Sequence, residues 1–277
     1  MKSSGQLLFL GTGGSMGVPV VCCSCSVCTS TSRYNKRKRP SVFCTINDTN
    51  ILIDCGPDFR EQALRYDINK IDALLFTHSH NDHTIGIDDL KMYGLRAKKP
   101  IPCFLSEETA QDLKERFPYI FKENITYEGL ITRLSLQPFK ETEGHIFVNG
   151  INIRYFSYEQ MKLSVNGFRL GDLAYVSDIK EYKETILDEL KGVKTLILSA
   201  LRFEASPMHF NIDEAVAFAR LVGAEKTWFM HIAHELDHAK GNASLPKNIR
   251  LAYDGLKIPF EADIIEENRS LNFFKTP

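Results

Sequence analysis

Leu74-Leu75-Phe76-Thr77-His78-Ser79-His80-Asn81-Asp82-His83 runs an apolar strand straight into four strong metal ligands within six positions. In an extended segment residues two apart point the same way, so His78 and His80 can grip one ion. Asp82 and His83, where the chain turns, face a neighbouring position. Imidazole with carboxylate suits zinc, manganese or iron, and two such ions close together equip hydrolases that cut phosphate or acyl bonds. A solvated polar loop is the alternative. It requires three of only eight histidines to gather by chance at the end of a buried strand.

Composition bounds the rest. With 277 residues, 43% of them hydrophobic, the chain can bury a substantial core as one large domain or two small ones. Lys and Arg total 34 against 35 Asp and Glu, so no global field selects nucleic acid or an anionic membrane. A single Lys2 and the short apolar run Leu7 to Leu10 do not make a signal peptide or a span, and a soluble cytoplasmic protein is expected. Seven cysteines, an odd number with four at Cys22, Cys23, Cys25 and Cys28, read as reduced ligands rather than a disulfide framework.

Leu8 to Leu10 leads into a glycine-rich turn, Gly11 to Gly17, and then Cys23, Cys25 and Cys28 form a C-x-C-x-x-C unit lacking a fourth ligand. A closed structural zinc takes four, and a histidine from elsewhere would complete a Cys3His set. The turn fits neither the dinucleotide fingerprint nor the P-loop, so it is expected as a tight turn at the edge of the site.

The HxHxDH arrangement, with Ile51-Leu52-Ile53-Asp54-Cys55-Gly56 upstream, resembles the metallo-β-lactamase superfamily. The resemblance implies an α/β fold, the αββα sandwich, with two metals at one edge. Gly17-Val18-Pro19, the Cys unit, Arg39-Pro40-Ser41, Asp88-Asp89-Leu90, Ala174 to Asp178, Ser199 to Arg202, His209 to Asn211, Met230 to His238 and Ala252 to Gly255 narrow it to the PhnP-like branch, with kinship to PqqB-type proteins. It covers nearly the whole chain, read as a single domain over 1–277 with a Cys-rich zinc-binding insertion at about 20–40. It implies His231 at the active metals and His234, three residues on, at a structural zinc with Cys23, Cys25 and Cys28; Cys22 could replace Cys23, but its distance from Pro19 favours Cys23.

Asp178 ends the apolar strand Leu173 to Val176, and a carboxylate there can bridge two cations; as a residue it could equally cap a following helix, and the family pattern favours the ligand. His209 precedes Asn211-Ile212-Asp213-Glu214, a capping box opening an amphipathic helix through Val222. By resemblance it contacts phosphate and assists the leaving alkoxide; its alternative is a polar cap-region side chain.

One position departs from the family. A third histidine for the first metal should follow the strand Ile151 to Phe156, but Ser157-Tyr158-Glu159-Gln160-Met161 holds none. The missing ligand falls near Glu159 or Gln160, and Glu159 is the stronger donor, tilting the site toward manganese. His145, before the turn Asn149-Gly150, is expected on the surface. Without Glu159, the first site is held by His78, His80 and Asp178.

Strands are expected at Leu7 to Leu10, Val42 to Ile46, Asn50 to Asp54, Ala73 to Thr77, Ile151 to Phe156, Leu173 to Val176, Thr195 to Ser199 and Lys226 to Met230. Helices are expected at Asp58 to Tyr66, Ser106 to Phe117, Lys180 to Leu190 and Ile212 to Val222, with a loop from Phe117 to Thr142. Lys36-Arg37-Lys38-Arg39 reads as a solvated basic face with a local role toward an anionic substrate left open, and Trp228, Phe229, Phe273 and Phe274 as core.

The function implied is a metal-dependent phosphodiesterase of small or cyclic diesters. Two divalent ions, zinc or manganese, held by His78, His80, Asp82, His83, Asp178, His231 and Glu159, activate the attacking water, and His209 helps the leaving oxygen. Thioester or lactone hydrolysis, and a degenerate scaffold with only a structural zinc, are the alternatives. The partner is a small phosphodiester; nucleic acid is not favoured, no membrane is expected, and a homodimer is left open.

Overall fold

The structure, a computed structural model, describes residues 1–121 and 134–265. Its first half runs β1 (Lys2–Gly11), β2 (Ser41–Ile46), β3 (Thr49–Ile53), α1 (Phe59–Arg65), β4 (Ala73–Leu75), α2 (Asn81–Thr84), α3 (Lys91–Ala97), β5 (Ile101–Leu105), α4 (Glu107–Arg116), α5 (Pro118–Phe121) and β6 (Leu134–Pro138). The second runs β7 (Glu143–Val148), β8 (Ile151–Gln160), β9 (Leu163–Leu170), β10 (Leu173–Val176), α6 (Ile186–Leu190), β11 (Thr195–Ser199), α7 (Ile212–Val222), β12 (Lys226–Met230), α8 (His238–Ser244) and β13 (Ile249–Leu251). A last strand, β14 (Lys257–Ile264), returns to pair antiparallel with β1.

Hydrogen bonding follows the order β13-β12-β11-β10-β9-β8-β14-β1-β2-β3-β4-β5-β6, with β7 beside β8. Two residue pairs alone, Asp263 with Asn152 and Ile264 with Ile151, join the halves at β14 and β8. Side-chain alternation makes this path a sandwich. Leu7, Phe9, Ile51, Ile53, Leu173, Tyr175 and Ile197 point into a core between the sheets, while their neighbours Leu8, Leu10, Leu52, Ala174, Val176 and Leu198 point outward to the helices. One outer layer packs under α1 and α4 through Phe59, Ala63, Ala110 and Leu113, the other under α6 and α7 through Ile186, Leu190, Ala215 and Phe218. Strands covered on both faces must be apolar at consecutive positions, which is why Ile51-Leu52-Ile53 and Leu74-Leu75-Phe76 read as unbroken runs. The result is the αββα sandwich, in which each fully buried leucine-sized side chain contributes about 1.5–3 kcal/mol.

Ladders β3-β4-β5 and β10-β11-β12-β13 are parallel, and their carboxyl ends open at one edge. Asp54 follows β3, His78 follows β4, Asp178 follows β10 and His231 follows β12. Residues 12–40 leave β1 as a long excursion with its own small cluster of Val18, Val27 and Cys28.

Two expected elements differ. The helix expected from Lys180 begins only at Ile186, because Glu159 and Glu181 exchange backbone hydrogen bonds of 3.0 Å and hold that segment extended. Antiparallel pairing with β9 prolongs β8 to Gln160 rather than Phe156. The expected loop from Phe117 to Thr142 contains α5 and β6; its residues 122–133 lie outside the described residues, as do Phe273 and Phe274. Trp228 is partly buried against the central core and Phe229 is fully buried. Among the described residues no helix is long and apolar enough to cross a membrane.

The two loops carrying the edge pack backbone to backbone. A Cβ on Gly56 would stand 2.0 Å from the carbonyl oxygen of Asp82, and one on Gly86 would stand 2.1 Å from that of Gly56. Gly56→Ala should therefore lower stability by about 1–3 kcal/mol through overpacking, read as a lower Tm. An unchanged Tm would mean that these loops do not meet as described.

Candidate metal centre

The motif leaves β4 and turns at once into α2, so His78 and His80 project from extended backbone while Asp82 and His83 project from a helical turn. Among the described residues three overlapping groups form here: His78, His80 and Asp178; Asp82, His83 and His231; and Asp178, His209 and His231. His78, His83, Asp178 and His231 are essentially inaccessible, Asp82 is buried, and His80 and His209 are half-buried.

The spacings discriminate hydrogen bonding from shared coordination. His83 Nε2 lies 3.4 Å from Asp82 and 3.6 Å from Asp178, and His231 Nε2 lies 3.5 Å from Asp82 and 3.4 Å from Asp178. His78 Nε2 lies 3.7 Å from Asp178. These carboxylate spacings are long for hydrogen bonds, whereas His78 Nε2 and His80 Nδ1 stand 2.9 Å apart, within hydrogen-bonding distance. Two donors about 2.1 Å from one ion at a tetrahedral angle sit roughly 3.4 Å apart, which matches. His83 Nε2 and His231 Nε2 are buried without a hydrogen-bond partner, as expected of lone pairs reserved for a cation. The donor set fits a pair of divalent ions, with Asp178 common to both halves.

One carboxylate beneath the cluster orients it. Asp54 accepts from His83 Nδ1 at 2.7 Å, from the Thr77 backbone N–H at 2.8 Å and from the Thr77 hydroxyl at 2.9 Å. With its hydrogen committed to Asp54, the Thr77 oxygen accepts from His78 Nδ1 at 2.9 Å. Both imidazoles therefore carry the proton on Nδ1 and turn Nε2 to the cluster. The Ser177 hydroxyl donates to Asp178 at 2.8 Å, and the Tyr158 hydroxyl donates to the Ser177 carbonyl. Asn166 in β9 donates to the Thr77 carbonyl from its backbone at 2.8 Å and its side chain at 3.0 Å. Asp54 was legible as the start of the Asp-x-Gly that ends a strand beneath the site, though its bond to His83 was not; Thr77 was missed, and its place immediately before the first histidine was the available signal.

Asp54, Asp178 and His231 all have positive φ, at 62°, 53° and 60°. Such backbone costs on the order of 1–3 kcal/mol per residue, and it survives where packing overrides it. The helix-capping alternative for Asp178 also falls away, since the next helix, α6, starts only at Ile186 with Thr185 at its cap.

Electrostatics favour positive charge. Burial alone would lower the His83 pKa, but Asp82, Asp54 and Asp178 hold it well above the usual histidine range. Burial opposes ionisation of Asp178 and Asp82, yet the surrounding imidazoles hold both carboxyls below their usual range, His231 and His83 for Asp178, His83 and His231 for Asp82. His78, buried beside His83, is pushed well below the histidine range and is a neutral donor.

Glu159, the expected replacement ligand, is a correction. Strand alternation sends its exposed side chain to the opposite face, where it lines a cleft of about 540 Å³ with Glu143, Glu181 and Lys162. Gln160 faces inward and is 1% exposed, its amide nitrogen 3.2 Å from His209 Nδ1. His145 is exposed and meets Asn152 at 2.8 Å.

A second group lies on the 12–40 excursion. Cys23 and Cys25 Sγ each stand 3.4 Å from His234 Nδ1, and Cys28 completes the set, while Cys22 is exposed and apart. Sulfur and nitrogen sharing a tetrahedral zinc are roughly 3.6 Å apart by ordinary bond lengths, so these residues too fit the metal. The Cys25 thiol is lowered to about 6 by the Cys28 N–H and His234. The basic run is not a free face. Arg37 is buried, donating to Thr12 and the Ala252 carbonyl at 2.7 Å; Lys36 donates to the Cys28 carbonyl, Lys38 pairs with Glu61, and Arg39 with Asp58.

Asp54→Asn should weaken ion binding at the His83 half by about 10–100-fold, the usual effect of losing an outer carboxylate, measured by competition with a chromogenic chelator; unchanged affinity would refute the orienting role. Cys25→Ser should remove one zinc per chain by elemental analysis while ions at the histidine cluster stay.

Residues 49–232 match the model of the β-lactamase superfamily domain. The structure of a diphosphatase from the PhnP family superposes with a TM-score of 0.88 at 35% identity, covering 95% of this chain and 99% of that one. Zinc-bound PqqB from Methylobacterium extorquens shares the fold at a TM-score of 0.70 and 18% identity, with 91% of this chain and 99% of that one covered. An octanoyltransferase of Porphyromonas gingivalis is 31% identical over 258 residues, 91% of this chain; the chain spans about half, 51%, of that protein's length. With the sandwich and the HxHxDH edge described above, these matches place the chain in the metallo-β-lactamase superfamily of metal-dependent hydrolases, and within it in the PhnP-like branch.

Proposed function

We propose that this chain is a phosphodiesterase acting on a small or cyclic phosphodiester at a two-ion centre, with a separate structural zinc. The observation that carries the reading is the placement of Asp178: its Oδ2 lies near His78 and His83 and its Oδ1 near His231, so one carboxylate belongs to both donor sets. Two divalent ions held there would lower the pKa of a water between them and neutralise charge developing on phosphorus. His78, His80 and Asp178 would hold one ion, and Asp82, His83, His231 and Asp178 the other.

The chain's own hydrogen-bond donor toward the substrate is His209. Burial outweighs Asp178 and lowers its pKa to about 4, so at pH 7 the ring is neutral with a single N–H. Because the Gln160 amide meets Nδ1, that hydrogen sits on Nε2, free for a phosphoryl oxygen or the departing alkoxide. The half-buried placement of His209 beside Asp178, at 3.8 Å, supports this role. The likeness to a PhnP-family diphosphatase supports a phosphorus substrate over a thioester.

Asp82→Ala should abolish turnover of a chromogenic phosphodiester in added manganese, by at least about 100-fold, as expected when a catalytic ion loses its ligand. Unchanged turnover would refute the assignment, and hydrolysis of a thioester with no action on the diester would replace it with acyl chemistry. Protein purified without chelator should hold about three ions per chain, whereas one zinc alone would support a scaffold.

A further inference from the structure

The departure at residue 160 has a chemical answer in the structure. Backbone bonds to Glu181 clamp Glu159 with its side chain in solvent, and alternation then drives Gln160 inward, 1% exposed. Its amide nitrogen is 3.2 Å from His209 Nδ1, and that nitrogen is 3.8 Å from Asp178 Oδ2. The amide oxygen, by contrast, is buried with no hydrogen-bond partner. A buried carbonyl oxygen left unpaired is costly, and here it stands one side chain away from a donor set with only three members, His78, His80 and Asp178.

We propose that Gln160 supplies the further protein ligand of the His78, His80 and Asp178 site through its amide oxygen, while its N–H holds His209. This rests on the two-ion reading above. One planar amide then serves both sides: the oxygen offers its lone pair to a cation and the nitrogen presents a hydrogen to His209 Nδ1. The donor is neutral and hard where an imidazole would be softer. Carbonyl and carboxylate oxygens suit manganese or magnesium, imidazole suits zinc, so the substitution shifts this half toward manganese and makes its ion the weaker of the two. The other half keeps Asp82, His83 and His231 and retains the tighter ion.

The test is manganese titration of full-length protein stripped of active-site ions, with cysteine-bound zinc and Tm measured in each sample as a control of folding. Two classes of manganese site are expected in the parent. Gln160→Ala should weaken one class by at least about tenfold and leave the other alone. Gln160→Glu, which keeps an oxygen donor and adds charge, should restore or tighten it, and Gln160→His should shift its preference from manganese toward zinc. A role confined to holding His209 would leave all three isotherms on the parental one, and that result overturns the proposal. Should the alanine variant not fold, the glutamate and histidine variants decide alone: parental affinity and parental metal preference in both overturn it. A parent that binds no manganese at the cluster fails the two-ion reading itself, whereas two ions bound equally by parent and Gln160→Ala fail this inference only.

Discussion

A carboxylate with no contact to solvent, Asp54, organises the catalytic edge. It accepts a hydrogen bond from His83 directly and reaches His78 through the Thr77 hydroxyl, so two imidazoles on either side of the strand-to-helix turn share one tautomer and one direction. Burial pushes the Asp54 carboxyl pKa up, and His83 and Thr77, which bond to its two oxygens, oppose that rise. The charge that remains is offset by whatever positive species the cluster holds. Three buried carboxylates, Asp54, Asp82 and Asp178, beside five imidazoles make a site that attracts cations before any particular ion is considered.

The sandwich supplies the convergence. Parallel strands end at one edge, and the chain breaks out of each ladder in a conformation that swings the next side chain back over the strand ends. The positive φ of Asp54, Asp178 and His231 is the local cost of that manoeuvre. Opposing it are the apolar layers on both sides of each sheet, and the close approach of Gly56 and Gly86, where no side chain would fit. His231 is further pinned by the glycine-rich turn: the Gly14 N–H donates to the Ile232 carbonyl at 3.0 Å, the Ile232 N–H donates to the Thr12 carbonyl at 2.9 Å, and a Cβ on Gly14 would stand 3.3 Å from the imidazole.

The cysteine excursion is bound into the same edge. Two residues separate His231 in the histidine cluster from His234 among the cysteines, so one short loop couples the two groups. Asn35 donates to Asp237 at 2.7 Å, and buried Arg37 meets His238 at 2.9 Å, which fastens the far end of the excursion to the same segment. The basic run thereby becomes internal architecture. Its charges are spent on Thr12, Cys28, Glu61 and Asp58 rather than on a ligand surface.

Much of this was legible in the chain because local rules suffice for it. Unbroken apolar triplets announce strands covered on both faces, HxH spacing puts two imidazoles on one side of an extended segment, and Asn211 with Glu214 forms the capping box that opens α7. Ligand types and their order along the polypeptide follow from the residues alone. What the polypeptide could not state was direction. Whether Glu159 or Gln160 faces the cluster depends on the pleat of β8, and that phase is carried by its ladder with β9 and by the bridge to Glu181, twenty-two positions away. Likewise, four consecutive basic residues read as solvated until the fold shows Arg37 enclosed. Residue chemistry is a local property and was determined by sequence; facing and burial are relations between distant segments, and only the tertiary structure decided them.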